Sequence, residues 1–498
     1  MIDEKISPEE EKFEKIRSVI GFIVGPILFS IIILFNYFQG NSIQGRLAAV
    51  VILVIIFWIT EAIPIPVAAL LGPSLCVILG VDTMKEVFAP FSHPIIFLMM
   101  GTFIIAKAMS SNGVDKVIAS VVIRNRLMSK SKIRLLLAFG LVVWFLSMWL
   151  SNTATTAMMV PIAISIVSSM EEDEKGKKRF STSLMLMIAF SASIGGISTP
   201  IGTPPNLIAL GMIEKYLNIR IYFFQWMFFA LPLSTLIFIS LFFVMKRGIS
   251  SKEMELNNVK KIIGEDLDKK KITLSKAQKN VLISFLLTVF LWICPGIMIM
   301  ALGKNHPFAQ FLVSVMPEAV AALIGTALLF FLPVNWKERK FTLDWKEAAK
   351  IDWGTILLFG GGLSLGSMMF KTGLAASFGN YLIEATNVKT LFGVTILFCI
   401  VAVMLTETTS NTASANMIIP IAIAVSQNLS INPVIPALAS CFATSLAFML
   451  PVSTPPNAIV YGTGYVPIRK MIVRGIIVDI IGIAIICTMA LSFFQRVL

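Results

Sequence analysis

The chain has 498 residues, 56% of them hydrophobic and only 14% charged, with a mean hydropathy of +0.85. That mix excludes an ordinary soluble domain and points to a polytopic membrane protein in contact with lipid. The formal charge of +13 would suggest nucleic acid in a soluble protein, but Lys and Arg gather here in a few stretches between apolar runs. The charge is therefore a topology signal, and no nucleic-acid partner is expected.

The first 17 residues, MIDEKISPEEEKFEKIR, are strongly charged, and the apolar run after them is too long for a signal-peptide core. The first helix is expected to stay in the mature protein. Apolar runs at 18–38, 47–60, 61–81, 93–112, 181–214, 221–246, 280–303, 318–334, 353–372, 434–464 and 474–495 read as eleven crossings of the cell membrane. Basic clusters at 5–17, 124–134, 175–179, 246–279, 337–350 and 469–474 are expected on the cytoplasmic side, with the N-terminus inside and the C-terminus outside. The five cysteines (Cys76, Cys294, Cys399, Cys441 and Cys487) lie in apolar runs without metal-ligand spacing and read as packing residues.

Two segments stand apart. SNTATTAMMVPIAI begins at Ser151 and SNTASANMIIPIAI at Ser410, each placing a polar tripeptide inside an apolar stretch. Residues 135–169 are flanked by basic clusters at both ends, and each half is too short to cross a bilayer. The segment reads as a re-entrant hairpin with the tripeptide at its tip; the alternative is one continuous span with small polar residues at a helix contact. Five crossings separate Ser151 from Ser410, so a second hairpin at 390–428 must enter from the opposite face. Other motifs recur in the same order: TEAIPIPVAALLG near 60 with PEAVAALIGTALL near 317, and ISTPIGTPPNLIALG near 197 with MLPVSTPPNAIVYGTG near 449.

The result is an all-α chain of eleven transmembrane helices and two hairpins, built from inverted repeats, the signature of secondary transporters. Residues 1–17 form a cytoplasmic segment, 18–45 an extra helix and loop, 46–247 the first repeat, 248–279 a cytoplasmic linker and 280–498 the second repeat.

Backbone opened at membrane depth is tolerated only inside protein or beside a water-filled cavity, so the breaks locate a cavity. Ser, Asn and Thr are favoured helix N-caps, and Thr203–Pro204 and Thr454–Pro455 place a cap before a proline at the first helical position. Four helix N-termini would converge there, an arrangement suited to an anion. No Arg or Lys falls in the motifs, so Asn152 and Asn411 would donate from amides and Ser151, Thr153, Ser410 and Thr412 from hydroxyls. Two quasi-equivalent tips suggest two carboxylates on the substrate. The same oxygens, with carbonyls freed at Gly202 and Ser453, can equally bind Na⁺. Alone, TPPN could be a proline kink and SNT an ordinary polar contact; two ordered pairs outweigh both.

The stretches SNTATTAMMVPIA, SNTASANMIIPIA, IGTPPN, STPPNAIV and WITEAIPIPVAALLG resemble the divalent anion/sodium symporter family of dicarboxylate and citrate carriers, over nearly the whole chain after residue 45. The resemblance implies a homodimer whose transport domains, each holding both hairpins, move like elevators against a scaffold. It implies one sodium among Ser147, Ser151, Asn152 and Gly202 and another among Thr406, Thr409, Asn411 and Ser453. It places substrate against Asn152, Thr153, Thr203, Asn411, Thr412 and Thr454. The family also contains sodium-independent exchangers, so symport and exchange stay open, as does the choice among C4 dicarboxylates, citrate and sulfate.

Lys107 is an ionisable group inside a span and departs from the apolar residues usual there; it could be a tethered cation favouring exchange, or a lysine snorkelling at a helix end. Of the intramembrane carboxylates Glu61, Glu318, Glu407 and Asp479, Glu407 lies nearest the motifs, where helix-end or inter-helix hydrogen bonding is the expected role. His93 and His306 read as bystanders. An embedded enzyme is disfavoured because no His or Lys joins a Ser in any motif, and a channel because selectivity filters come as rings from symmetric subunits.

Overall fold

The structure, a computed structural model, describes residues 8–35, 42–117, 131–168, 170, 174–249, 273–303 and 305–494. Residues 124–130 of one basic cluster, most of the 248–279 linker, and both extreme ends of the chain lie outside them.

The first helix, α1, runs Pro8–Phe35, and its membrane-length apolar segment already starts at Glu14. The helix therefore runs through the expected boundary at residue 17, and Arg17 lies within its membrane-length apolar segment. Next come α2 (Ser42–Thr60) and α3 (Ile65–Ile78), separated by a bend at Glu61, whose φ of 50° breaks the helix. Proline at the first positions restarts it. The expected span 61–81 is accordingly a 14-residue helix, short of a full crossing. A short α4 (Met84–Phe88) leads to α5 (Pro94–Ser111).

The first hairpin is α6 (Lys132–Ser147) and α7 (Asn152–Ser168), followed by α8 (Glu174–Ile197), α9 (Pro204–Leu217) and α10 (Phe223–Met245). Every residue of α8 from Phe180 to Ile197 is buried, so the rest of this half wraps around it. Then come α11 (Lys276–Leu302), α12 (Pro307–Val315) and α13 (Glu318–Phe331), the last two bent 54° where Pro317 excludes helical geometry at Met316.

Strands β1 (Pro333–Asn335) and β2 (Lys340–Phe341) form an antiparallel pair, an exception to the all-α expectation, and α14 (Trp345–Ala348) follows within the stretch read as a basic loop. The chain continues through α15 (Trp353–Thr372) and α16 (Leu374–Thr386). The second hairpin is α17 (Leu391–Thr408) and α18 (Asn411–Asn428), followed by α19 (Val434–Ala443), α20 (Pro455–Gly462) and α21 (Ile468–Met489).

Among the described residues nine helices are long and apolar enough to cross a membrane, ten if α12–α13 counts as one. The eleven expected crossings differ because 61–81 is shortened and 434–464 is broken, while α17, a hairpin arm of 18 residues, reaches spanning length.

The element order of the second half repeats that of the first, and the packing is exchanged between them. Helix α5 meets α13 where a Cβ at Gly101 would stand 2.8 Å from that of Ala322, and α15 meets α3 where a Cβ at Gly361 would stand 2.2 Å from the Ala69 carbonyl oxygen. Likewise α7 packs on α20 and α18 on α9. Such reciprocal contacts are what a two-fold relation between halves produces.

Candidate substrate and cation site

At the first tip, residues 148–151 join α6 to α7, and the Ser147 hydroxyl donates to Asn152 Oδ1 at 2.6 Å. At the second, Thr409 and Ser410 join α17 to α18, and the Thr406 hydroxyl donates to Asn411 Oδ1 at 2.7 Å. In each tip the last turn of the entering arm fixes the amide oxygen of the tripeptide asparagine.

The broken helices are held by a second pair of asparagines. Asn206 Nδ2 donates to the carbonyls of Gly196 (2.9 Å) and Thr199 (2.7 Å), closing the gap between α8 and α9. Asn457 Nδ2 donates to Ala447 (2.9 Å) and Leu450 (3.0 Å), closing the gap between α19 and α20. Both asparagines are fully buried. They tie up carbonyls that the breaks would otherwise leave open, as buried backbone requires.

All four motifs meet in one cavity of about 590 Å³. Ser151, Asn152 and Thr153 line it from the first tip, and Ser410, Asn411 and Thr412 from the second. Gly202, Thr203 and Pro204 contribute from one break and Ser453, Thr454 and Pro455 from the other. Ser147, Thr406 and Thr409 stand behind this lining: the first two hold the asparagines, and Thr409 donates to the Trp58 carbonyl at 3.0 Å.

The capping expectation needs one correction. Thr454 accepts from the Asn457 N–H at 3.4 Å, but Thr203 and Ser410 occupy N-cap positions without a side-chain bond to their own helices. Thr203 and Thr454 share extended backbone and a following proline, so the difference lies in the side chain alone, and Thr203 lines the cavity without that cap bond.

The remaining wall carries charge that the motifs lack. Glu61, Lys107, Asp115 and Asp352 all line the cavity. Lys107 is the one Lys or Arg among the described lining residues, and its Nζ lies 3.8 Å from Glu347 Oε2. Asp352 caps α15, accepting from the Thr355 N–H at 3.0 Å. Burial raises the Asp115 carboxyl above its ordinary value, partly offset by the Lys116 N–H that donates to it at 2.8 Å. Glu407 is 3% exposed and lies behind the second tip, accepting from the N–H groups of Phe448 (2.7 Å), Met449 (2.8 Å) and Leu450 (3.2 Å) and from the Ser453 hydroxyl (2.5 Å). Glu407 thus bonds from one helix to the irregular stretch between two others, the inter-helix form of the role expected of it. Neither His93 nor His306 lines the cavity; each accepts a backbone N–H at the start of a helix.

Comparison with known proteins places this arrangement. The family described as sodium:sulfate symporter transmembrane region matches residues 19–498. This chain belongs to the divalent anion/sodium symporter family. A relative, the sodium-dependent dicarboxylate transporter SdcS of Staphylococcus saprophyticus, is 34% identical over 493 residues, covering 96% of this chain and 92% of its own. SdcS of Staphylococcus aureus strain USA300 is 31% identical, covering 94% and 89%. In fold the chain resembles the YdaH transporter of Alcanivorax borkumensis (TM-score 0.52, 12% identity, 83% of this chain and 88% of that one) and MtrF of Neisseria gonorrhoeae (TM-score 0.54, 12% identity, 84% and 85%). As a family member, it is a multi-pass membrane transporter.

Proposed function

We propose that this chain carries C4 dicarboxylates of the succinate, malate and fumarate type across the cell membrane, coupled to Na⁺, by elevator motion within a homodimer. The observation that carries the reading is the convergence of both tripeptide tips and both broken helices on one cavity. A dianion there meets two asparagine amides, the hydroxyls of Thr203 and Ser410, and helix N-termini, all fixed before it arrives. The relatives named as sodium-dependent dicarboxylate transporters support the same substrate and ion.

One Na⁺ would sit among Ser147, Ser151, Asn152 and Gly202, and a second among Thr406, Thr409, Asn411 and Ser453. The donor set fits: hydroxyl, amide and carbonyl oxygens suit a hard cation. Gly196 keeps side-chain atoms away from one such oxygen, since a Cβ there would stand 2.7 Å from Asn152 Oδ1. The bound cations would offset the dianion's charge. The two halves lie inverted in the bilayer, N-terminus inside and C-terminus outside. We read the cavity as open to the cytoplasm, because the α15 side of its wall follows directly on the basic stretch 337–350.

Lys107 in the cavity wall favours a second reading, obligate exchange. A tethered cation cannot leave with the substrate, and returning it unpaired through the membrane is costly. Purified protein in liposomes separates the two. Labelled succinate taken up into empty vesicles under an inward Na⁺ gradient is the expected result. Uptake that ignores Na⁺ and requires internal dicarboxylate would establish exchange, and uptake of citrate or sulfate in place of succinate would reassign the substrate.

A further inference from the structure

An arginine within a membrane-length apolar helix demands a partner, and Arg17, three residues into that segment of α1, has two on different parts of the molecule. Its Nη2 lies 3.0 Å from Glu61 Oε1, at the bend between α2 and α3, and its Nη1 donates to the Thr408 carbonyl at 3.1 Å. Thr408 ends the entering arm of the second hairpin, directly before the Thr409–Ser410–Asn411 tip. The Arg17 side chain is 15% exposed, and Glu61 itself lines the cavity.

The anchoring side of this contact is rigid. Gly21 and Gly25, four residues apart on α1, let that helix lie directly on α2: a Cβ at Gly21 would fall 1.8 Å from Thr60 Oγ1, and one at Gly25 within 3.5 Å of Ile56 Cγ2. Small residues at this spacing are how membrane helices pack backbone to backbone. Arg17 lies one turn before Gly21, so the α1–α2 pair presents a guanidinium, already held by Glu61, to the hairpin tip. A second bond crosses the same boundary, from the Thr409 hydroxyl to the Trp58 carbonyl of α2.

We propose that Arg17 is a positioning residue that latches the second hairpin to the α1–α2 pair with the cavity open as seen here, and that the hairpin must release it in every transport cycle. The inference rests on the elevator reading above: α1 and α2 stay with the scaffold, while the hairpin travels. The Glu61 contact then persists through the cycle and the Thr408 contact does not. While the hairpin is away, Glu61 keeps the guanidinium paired, so the latch can reopen without leaving a bare charge in the membrane.

The test uses full-length protein with its five cysteines replaced, in liposomes, assayed by succinate counterflow. The double variant R17C/T408C is linked with a short bifunctional thiol reagent, because two cysteines are shorter than the arginine they replace. The double variant G25C/I56C is linked within the α1–α2 pair as a control. Counterflow before linking tests the carrier reading in its own right. Linking the two introduced thiols of R17C/T408C should then cut counterflow at least tenfold, with recovery on reduction of a cleavable reagent, while the control keeps its own unlinked rate.

Full counterflow in the linked R17C/T408C protein would mean that α1 and the hairpin move as one body, and would overturn the latch. So would failure of that pair to link when the control pair does, or loss of counterflow on linking the control. In the otherwise native chain, R17Q should lower the external KM for succinate as the outward-facing population rises, and R17K should stay near wild type. A purely structural arginine would instead lower the amount of folded protein and leave KM alone, and an unchanged KM in R17Q would also count against the latch.

Discussion

The two halves of the site solve one problem with different chemistry. Around Ser151 the break between α8 and α9 spans residues 198–203; around Ser410 the break between α19 and α20 spans 444–454. Both are closed by an asparagine one turn into the returning helix and face a tip whose own asparagine is held by a hydroxyl five residues earlier. In the shorter break the Thr199 hydroxyl reaches across to the Met148 carbonyl at 2.5 Å, and no charge is involved. The longer break leaves three consecutive N–H groups and a hydroxyl pointing inward, and Glu407, the second half's counterpart of Met148, receives all four. A surplus of carbonyls can be closed by neutral donors. A surplus of buried N–H groups recruits an anion, because an unmet donor at membrane depth costs too much.

If the tips are functionally equivalent, the largest effects should be matched. Asn152→Ala and Asn411→Ala each remove a cavity-lining amide whose oxygen is fixed by a neighbouring hydroxyl. Each should lower transport at matched expression by roughly fivefold to 150-fold, from about 1–3 kcal/mol of lost ligand contact. Both should also weaken the apparent affinity for Na⁺. A large loss in one variant and none in the other would break the equivalence and assign substrate to one half of the cavity.

The asymmetry should appear in stability. Glu407→Ala strands three backbone N–H groups and should cost several kcal/mol of stability, at about 1–3 per unmet donor, read as a strong fall in the thermal midpoint of detergent-solubilised protein. Met148→Leu at the matching position keeps the backbone carbonyl and should be close to neutral. Equal losses in the two variants would mean that the carboxylate is not what holds the longer break.

Much of this arrangement is legible in the sequence. Repeated tripeptides and repeated Thr-Pro-Pro give away the tips and breaks because a membrane tolerates such residues in mid-span only for a reason. Asn206 and Asn457 are inside the same quoted motifs, yet their clamping role is hidden. Their carbonyl partners lie seven and ten residues earlier, across a gap that no helical or strand periodicity connects. Arg17 is concealed by its neighbours, since a charged residue at the end of a charged segment reads as solvated until the helix is seen to start nine residues before it. The amphipathic helices α12 and α16 and the β1–β2 pair fall between apolar runs and are invisible to a search for spans. Lys107 and Glu61 can be suspected from hydropathy, but only the fold brings them to the cavity wall.

The clamps themselves should be symmetric and intermediate in effect. Asn206→Ala and Asn457→Ala each delete a buried amide with two good carbonyl bonds, for a loss of about 2–3 kcal/mol. The thermal midpoints of the two variants should fall together. A much milder loss at Asn457 would show that Glu407 already holds the longer break alone, sharpening the contrast between the halves.

The smallest effect is expected from His93, whose position at the start of α5 has Asp352 as its counterpart before α15. Burial, and secondarily the nearby Lys215 ammonium, push the imidazole down to about 4. A folded-state value below the ordinary ~6.5 means that the neutral form is favoured by folding. The stability this brings is complete above about pH 6.5 and is lost as the pH falls toward 4. His93→Gln should therefore leave both transport and its pH profile unchanged near neutrality, while resisting acid slightly better than wild type. Any pH dependence near neutrality that His93→Gln abolished would show that the imidazole carries a charge there, and would make it a working part of this half rather than a helix cap.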